Sequence, residues 1–365
     1  MTTASHINSL EDIVEKVLGE KRLSREDGIR LIHSHELATI GYLADMVRKR
    51  KVGDYAYFLN NHHINHSNIC LSRCSLCAFS RLPGQAGAYT LTSDQVVDKA
   101  VAAAAHDVTE VYILGGNHPE LRLEHFEEMF RRVKERLPGV AIKGLTPTEV
   151  DHISRLGGLD PRETLIRLKN AGMGMLSGGG AEMFSARVRR KICPGKATGE
   201  RWLEISRLAH EVGIPTTATM LYGQVETLEE RIDHLLALRE LQDETGGIAT
   251  FIPLPFHPTG TGLAKLPRTT AFEDLKMIAI ARLMLDNFPH ITAFWFSVGE
   301  KIAQIALSFG ADDLYGPVYE ELIVHAAGAE EAQAIELSSL VNMIKSAGRI
   351  PAQRDTFYRV IREGF

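Results

Sequence analysis

The sequence predicts an α/β fold: a barrel of parallel strands alternating with helices, extended by further helices at both ends. Three observations carry this expectation. From about residue 55 onward, short apolar runs alternate with amphipathic stretches of a dozen residues or more, the pattern of βα units around a parallel sheet. The carboxyl ends of several runs are rich in glycine and polar residues, and barrels build their active sites there. These ends read Gly115-Gly116-Asn117-His118, Ser177-Gly178-Gly179-Gly180-Ala181-Glu182, Gly223-Gln224-Val225-Glu226 and Pro255-Phe256-His257. The length, 365 residues, suits one barrel with additions at its ends.

Residues 1–54 are expected to form a helical preface. Leu10, Ile13, Val14, Val17 and Leu18 recur at helical spacing, and Ser24-Arg25-Glu26-Asp27 can cap a second helix. The barrel is assigned to 55–315. Its predicted strands are 55–59 or 64–69, then 110–114, 141–145, 173–176, 216–221, 249–254 and 293–298, with an eighth at 305–309. Helical patterns fill 123–137, 162–171, 199–212 and 228–245. Strand character is lost after Gly310. Residues 331–347 read as a helix ended by Gly348 and Pro351, so 316–365 are expected to be a helical extension packed on the barrel.

Composition narrows the partners. With 41 basic and 46 acidic residues the net charge is −5, and no basic run marks a nucleic-acid footprint. No stretch approaches the ~18 apolar residues of a membrane span, and residues 1–15 lack the order of a secretory signal. A small-molecule partner and a cytoplasmic location are expected, with neither nucleic acid nor membrane involved.

Three of the four cysteines fall within eight positions: Cys70, Cys74 and Cys77 form C-x3-C-x2-C, while Cys193 stands alone. Three thiolates on one tight loop can hold three irons of a 4Fe-4S cube and leave the fourth iron open, whereas structural zinc normally takes four ligands. A zinc site completed by a histidine such as His66, or a non-catalytic iron-sulfur electron carrier, are the alternatives.

The cysteine spacing resembles the signature of the radical S-adenosylmethionine (SAM) superfamily, although Leu76 stands where an aromatic residue is more usual. The resemblance implies a 4Fe-4S cluster with SAM on its open iron. Phe79, which follows the cluster loop, is expected to be a cofactor-binding residue. Gly115, Gly116 and Asn117 resemble the segment that receives the methionine ammonium, since glycine leaves room for that approach. Glu182 offers a carboxylate to ribose or ammonium, Arg187 and Arg189 follow as partners for the methionine carboxylate, and Tyr222 with Gly223 is placed to touch adenine.

From about residue 55 to 358 the chain is similar to the aminofutalosine synthase family of the futalosine route to menaquinone. The stretches Gly178 to Glu182, Ile192-Cys193-Pro194-Gly195-Lys196, Ala218 to Gly223, Arg282 to Asn287 and Phe256-His257-Pro258-Thr259 carry the likeness. Gln224 and Asn117 depart from the usual pattern. The resemblance implies addition of the adenosyl group of SAM to 3-[(1-carboxyvinyl)oxy]benzoate, with rearrangement and loss of carbon dioxide as bicarbonate, giving 6-amino-6-deoxyfutalosine and methionine. SAM is consumed, and a flavodoxin- or ferredoxin-type protein supplies electrons. Sibling families, the dehypoxanthine futalosine cyclase and the deazaflavin-chromophore enzymes, share several of these motifs. The dianionic substrate requires cationic or hydrogen-bonding partners, for which His257 and Arg282 are expected first, followed by Arg81, His118 and Asn68.

Overall fold

The computed structural model describes residues 10–328 and 334–365. Seven parallel strands form one curled sheet in sequential order: β2 (Asn61–Asn65), β3 (Glu110–Leu114), β4 (Ala141–Gly144), β5 (Met173–Leu176), β6 (Thr216–Tyr222), β7 (Ile248–Pro255) and β8 (His290–Ile291). A smaller sheet sits beside it. There β1 (Tyr55–Phe58) pairs in parallel with β9 (Ile350–Arg354), which pairs antiparallel with β10 (Val360–Arg362).

Helices cover the outer face of the large sheet, and their starts follow from local chemistry. Thr92, Thr227 and Thr270 each accept the N3 backbone N–H while Gln95, Glu230 and Glu273 return the bond, and prolines open the helices Pro147–Gly157 and Pro161–Asn170. The amino-terminal helices Arg25–His33 and Leu37–Val52 lie against the helices Leu228–Thr245 and Ala271–Met284, and Glu11–Leu18 packs on Leu37–Val52. Gly28 allows the approach to Leu228–Thr245, since a β-carbon there would meet Ile232 at 2.9 Å, while Gly41 makes room for Phe309, which a β-carbon would meet at 2.4 Å.

The structure differs from the sequence expectation at the seam of the barrel. Residues 305–309 are not a strand, because the helix Glu300–Ala306 runs into a turn ended by Gly310. The predicted strand at 293–298 is mostly the short helix Trp295–Val298, after a two-residue β8. The gap between β8 and β2 is bridged instead by 312–319, where Asp313 pairs with both Tyr57 and Thr292 and Tyr319 pairs with His62. This segment cannot run as a regular strand. Tyr315 and Val318 take left-handed φ values of 68° and 60°.

The chain after 315 is also less helical than expected. It holds the helix Leu337–Ser346 but then enters β9 and β10; Pro351 hides that strand from a sequence reading. The predicted helix at 331–347 begins partly outside the described residues. Likewise β1, placed in the barrel by its apolar pattern, belongs to the smaller sheet. Among the described residues no helix is long and apolar enough to cross a membrane.

Candidate active site

The loop after β2 carries the three cysteines and is tied down from three sides. Leu71 donates its N–H to the Asn117 carbonyl (3.0 Å), Ser75 to that of Ile192 (2.8 Å), and Gly262 donates to the Ser75 carbonyl (2.8 Å). Within the loop, Arg81 donates to the carbonyls of Ala78, Phe79 and Ser80, and Cys70 donates its N–H to the Arg81 carbonyl. Arg81 therefore folds the cysteine loop instead of reaching the cavity. The three thiols line one cavity of about 310 Å³ at the carboxyl ends of the strands. Backbone N–H groups point at two of the sulfurs, from Asn117 to Cys70 Sγ (3.4 Å) and from Ser80 to Cys77 Sγ (3.3 Å).

This donor set fits a cluster. Burial pushes the Cys74 thiol up to about 12, so its thiolate needs a metal, while N–H groups aimed at sulfur stabilise the ligated charge. Among the described residues no three His, Cys, Asp or Glu side chains converge on one ion; thiolates that each bind a different iron need no such convergence. Cys193 is buried behind the loop and does not line the cavity.

The glycine-rich ends of β3 and β5 complete the upper wall. A β-carbon on Gly116 would sit 2.3 Å from the Ile69 carbonyl oxygen and 2.7 Å from Cys70 Cβ, so this glycine lets the chain pass the cysteine loop. Asn117 faces the cavity, but its amide donates to Ser72 Oγ at 2.8 Å. Glu182 holds a left-handed φ of 45°, and its carboxylate meets Lys196 Nζ at 2.5 Å on the cavity wall. Arg189 organises that turn from behind, donating to the carbonyls of Gly180, Ala181, Met183 and Ala197. It is thus a backbone clamp, not a partner for a cofactor carboxylate. Arg187 is spent on Glu230 and the Val225 carbonyl.

Tyr222 and Gly223 also lie outside the cavity lining. The Tyr222 hydroxyl is buried and donates to Asp274 at 2.8 Å, and Gly223 turns at φ 87° with its N–H on Glu226. Phe79 does line the cavity, edge-on to Tyr89.

Of the residues expected to meet substrate, Asn68 and His257 reach the cavity and Arg282 and His118 do not. Both ends of the Asn68 amide are occupied, by the Gly87 carbonyl (2.9 Å) and the Tyr89 N–H (2.8 Å). His257 donates from Nε2 to the Ser297 carbonyl (2.9 Å), leaving buried Nδ1 unpartnered, and burial lowers its pKa. It therefore presents a neutral acceptor. His118 accepts the Glu120 N–H at Nδ1 and meets Thr90 through Nε2. Arg282 is wholly buried, donating to Asp312 (2.5 Å) and to the carbonyls of Gly310 and Pro289, where it secures the seam segment.

The sequence reading missed the deeper lining. Lys143 on β4, Tyr112 on β3, His63 on β2 and Tyr315 from the seam face the cavity, with Ser177 and Lys196. One signal was available: Lys143 stands in the strand Ala141-Ile142-Lys143-Gly144, where a charged residue amid buried positions calls for a reason.

Residues 64–238 match the model of the Radical SAM superfamily, and 245–363 match the CofH/MqnC C-terminal region. The chain is 46% identical over 354 residues to the aminodeoxyfutalosine synthase of Thermus thermophilus, covering 96% of this chain and 95% of that one. It is 40% identical over 363 residues to the synthase of the same name from Streptomyces coelicolor, covering 96% and 94%. The structure of methylornithine synthase superposes with a TM-score of 0.75 at 21% identity, over 93% of this chain and 97% of that chain, a likeness of fold. A partial barrel with three cavity-facing thiols and these matches defines a radical SAM enzyme, whose cofactors are a 4Fe-4S cluster and SAM. Within that superfamily the chain belongs to the aminodeoxyfutalosine synthase family.

Proposed function

We propose that this chain joins the adenosyl group of SAM to 3-[(1-carboxyvinyl)oxy]benzoate, releasing aminodeoxyfutalosine, methionine and bicarbonate, in the cytoplasm and with a flavodoxin- or ferredoxin-type donor. The observation that carries this reading is 46% identity over nearly the full chain to a synthase of that name, joined to one cavity at the strand carboxyl ends that the three thiols share with Glu182 and His257.

Cys70, Cys74 and Cys77 would hold three irons of the cluster. With SAM in place, the bound cluster supplies a reactive adenosyl radical. The chain's own residues position and shield. The N–H groups of Asn117 and Ser80 steady the thiolate charge. Glu182, presented by the Arg189-clamped turn, offers its carboxylate to ribose hydroxyls or the methionine ammonium, with Lys196 balancing its charge. Leu221, Ile252, Leu254, Phe256 and Phe294 keep the wall apolar, which excludes water from a reaction that water would divert. His257 Nδ1 accepts a hydrogen bond from a bound group. On the same reading, the helices before residue 54 brace the barrel, and the chain after 315 lends Glu321, Ile323 and Val324 to the cavity wall.

The test is anaerobic turnover with SAM labelled in its adenosyl group. The label is expected in a nucleoside joined to the aryl product. Release of the label as free 5′-deoxyadenosine, with turnover of a futalosine-derived substrate, would replace this reading with that of the cyclase.

A further inference from the structure

Lys143 projects from β4 into the barrel and is 3% exposed. Its Nζ lies 3.4 Å from the Tyr315 hydroxyl and sits over two rings, 4.9 Å from the centroid of Tyr112 and 5.1 Å from that of Tyr315. No carboxylate among the described residues lies within ion-pair distance. Asp313 is held by Arg354, and Glu110 acts only from farther away. A buried ammonium with one long hydrogen bond is costly unless an anion joins it, and burial lowers its pKa. The other lysine lining the cavity, Lys196, already has Glu182.

The surroundings of Lys143 are aromatic. His63 meets Tyr112 and Tyr315 edge-on, with centroids 4.8 and 5.9 Å apart, and Phe294 meets Tyr315 in the same way at 5.0 Å. His63 is buried and its Nε2 has no partner. Thus a cation and an unpartnered ring nitrogen face the cavity from strands lying below the cysteine loop, among rings that suit a flat apolar body.

We propose that Lys143 determines specificity for an anionic aromatic substrate, its ammonium pairing with the carboxylate carried on the ring while Tyr112, His63, Tyr315 and Phe294 frame the ring itself. This rests on the proposed reaction for the identity of the acid. It adds an orientation: the ring carboxylate points to the floor, and the enol ether points up toward the cysteine end.

The test pairs two probes, 3-methoxybenzoate and 3-methoxybenzamide, titrated calorimetrically into the cluster-loaded enzyme, with Lys143→Met and Lys143→Gln as variants. The wild type is expected to prefer the carboxylate by about tenfold to a hundredfold, the usual range for a charge-assisted bond, and both variants are expected to lose that preference. Lys143→Met should also raise the melting temperature of the ligand-free protein, since it removes an unpaired buried charge, and should abolish the rise caused by the benzoate. A structural lysine would lower it instead. A variant that folds, binds iron and still prefers the benzoate overturns the proposal, as does equal binding of both probes by the wild type. The probes do not react. If the carboxylate preference holds while labelled SAM gives no aryl nucleoside, the site stands and the proposed reaction falls.

Discussion

Replacing Gly116 with alanine tests whether the cysteine loop depends on the close passage of the β3 end beneath it. The backbone at Gly116 does not take a left-handed φ, so alanine introduces no conformational penalty and the effect is purely steric. Its β-carbon would stand 2.3 Å from the Ile69 oxygen, 2.9 Å from the Ile69 carbonyl carbon and 2.7 Å from Cys70 Cβ. These neighbours are backbone or first side-chain atoms and cannot swing away. Restoring ordinary contact requires the Ile69 and Cys70 backbone to retreat by about 1 Å. That movement stretches the bonds from Leu71 N–H to Asn117 and from Cys70 N–H to Arg81, now 3.0 and 2.9 Å. Overpacking of this kind costs about 1–3 kcal/mol, concentrated on the loop that would hold the cluster. Gly139, whose β-carbon would meet nothing within 4 Å, serves as the control. After anaerobic reconstitution, Gly116→Ala is expected to hold clearly less iron and sulfide per chain than Gly139→Ala and to melt lower. Full iron content with unchanged SAM affinity in Gly116→Ala would refute the argument.

Four further outcomes follow from the same geometry. Single alanine variants of Cys70, Cys74 and Cys77 should each lose the cluster absorbance and activity, while Cys193→Ala, which removes a buried thiol off the cavity, should retain both. Glu182→Gln should weaken SAM binding by ~1–3 kcal/mol with iron content intact; unchanged affinity by calorimetry would return Glu182 to a merely structural pairing with Lys196. Burial of the Arg282 guanidinium against Asp312 means that Arg282→Met should cost about 3–5 kcal/mol in urea unfolding, with KM preserved in the fraction that folds. His234 is buried and stacked on Phe184, accepts the Phe184 N–H at Nδ1 and donates from Nε2 to the Thr219 carbonyl, and burial lowers its pKa to about 3. The folded state thus refuses a proton that the unfolded chain accepts below its ordinary value, so stability falls as pH drops from about 6.5 toward 3, by roughly 2 kcal/mol between pH 7 and 5. His234→Gln should flatten that part of the pH profile, and an unaltered slope would count against the assignment.

Much of the fold was legible because its signals are local. The runs at 110–114, 141–145, 173–176 and 216–221 carry enough apolar residues to announce buried parallel strands, and each appears in the sheet. The seam was not legible for the opposite reason. Residues 312–319 pair through scattered bridges and take left-handed φ at non-glycine positions, so no periodicity marks them, and β9 is masked by a proline. The site divides in the same way. The cysteine loop, the Gly115-Gly116-Asn117 segment and the turn from Ser177 to Glu182 are each short local runs, and the structure places all three on one cavity. Arg282 stands four residues before Asp286, a spacing that suggests a helical pair, yet Asp286 lies beyond the helix end at Met284 and the partner of Arg282 is Asp312, thirty residues away. Sequence spacing can propose an i, i+4 pair but cannot show a neighbour brought in by the seam.

The fate of the buried cations explains why charge in the sequence does not by itself mark a substrate contact. Arg189, Arg282 and Arg354 are deeply buried, and each is met by carbonyls or a carboxylate supplied by the fold itself. Their guanidinium forks suit fixed partners presented at fixed angles. Such groups hold the turn beneath Glu182 and the segment that closes the barrel, and they have little left for a ligand. Lysine carries a compact charge on a flexible stem and can wait for a partner that comes and goes. Lys196 keeps Glu182 as its partner on the cavity wall. Lys143 goes further, because no carboxylate among the described residues sits within ion-pair distance of it. A barrel that must take a dianion into a dry interior cannot satisfy every internal charge beforehand; a fully paired cation on the floor would have to give up its partner before the substrate could bind. The unpaired lysine among aromatic rings is therefore the feature that separates a substrate site from the structural ion pairs around it.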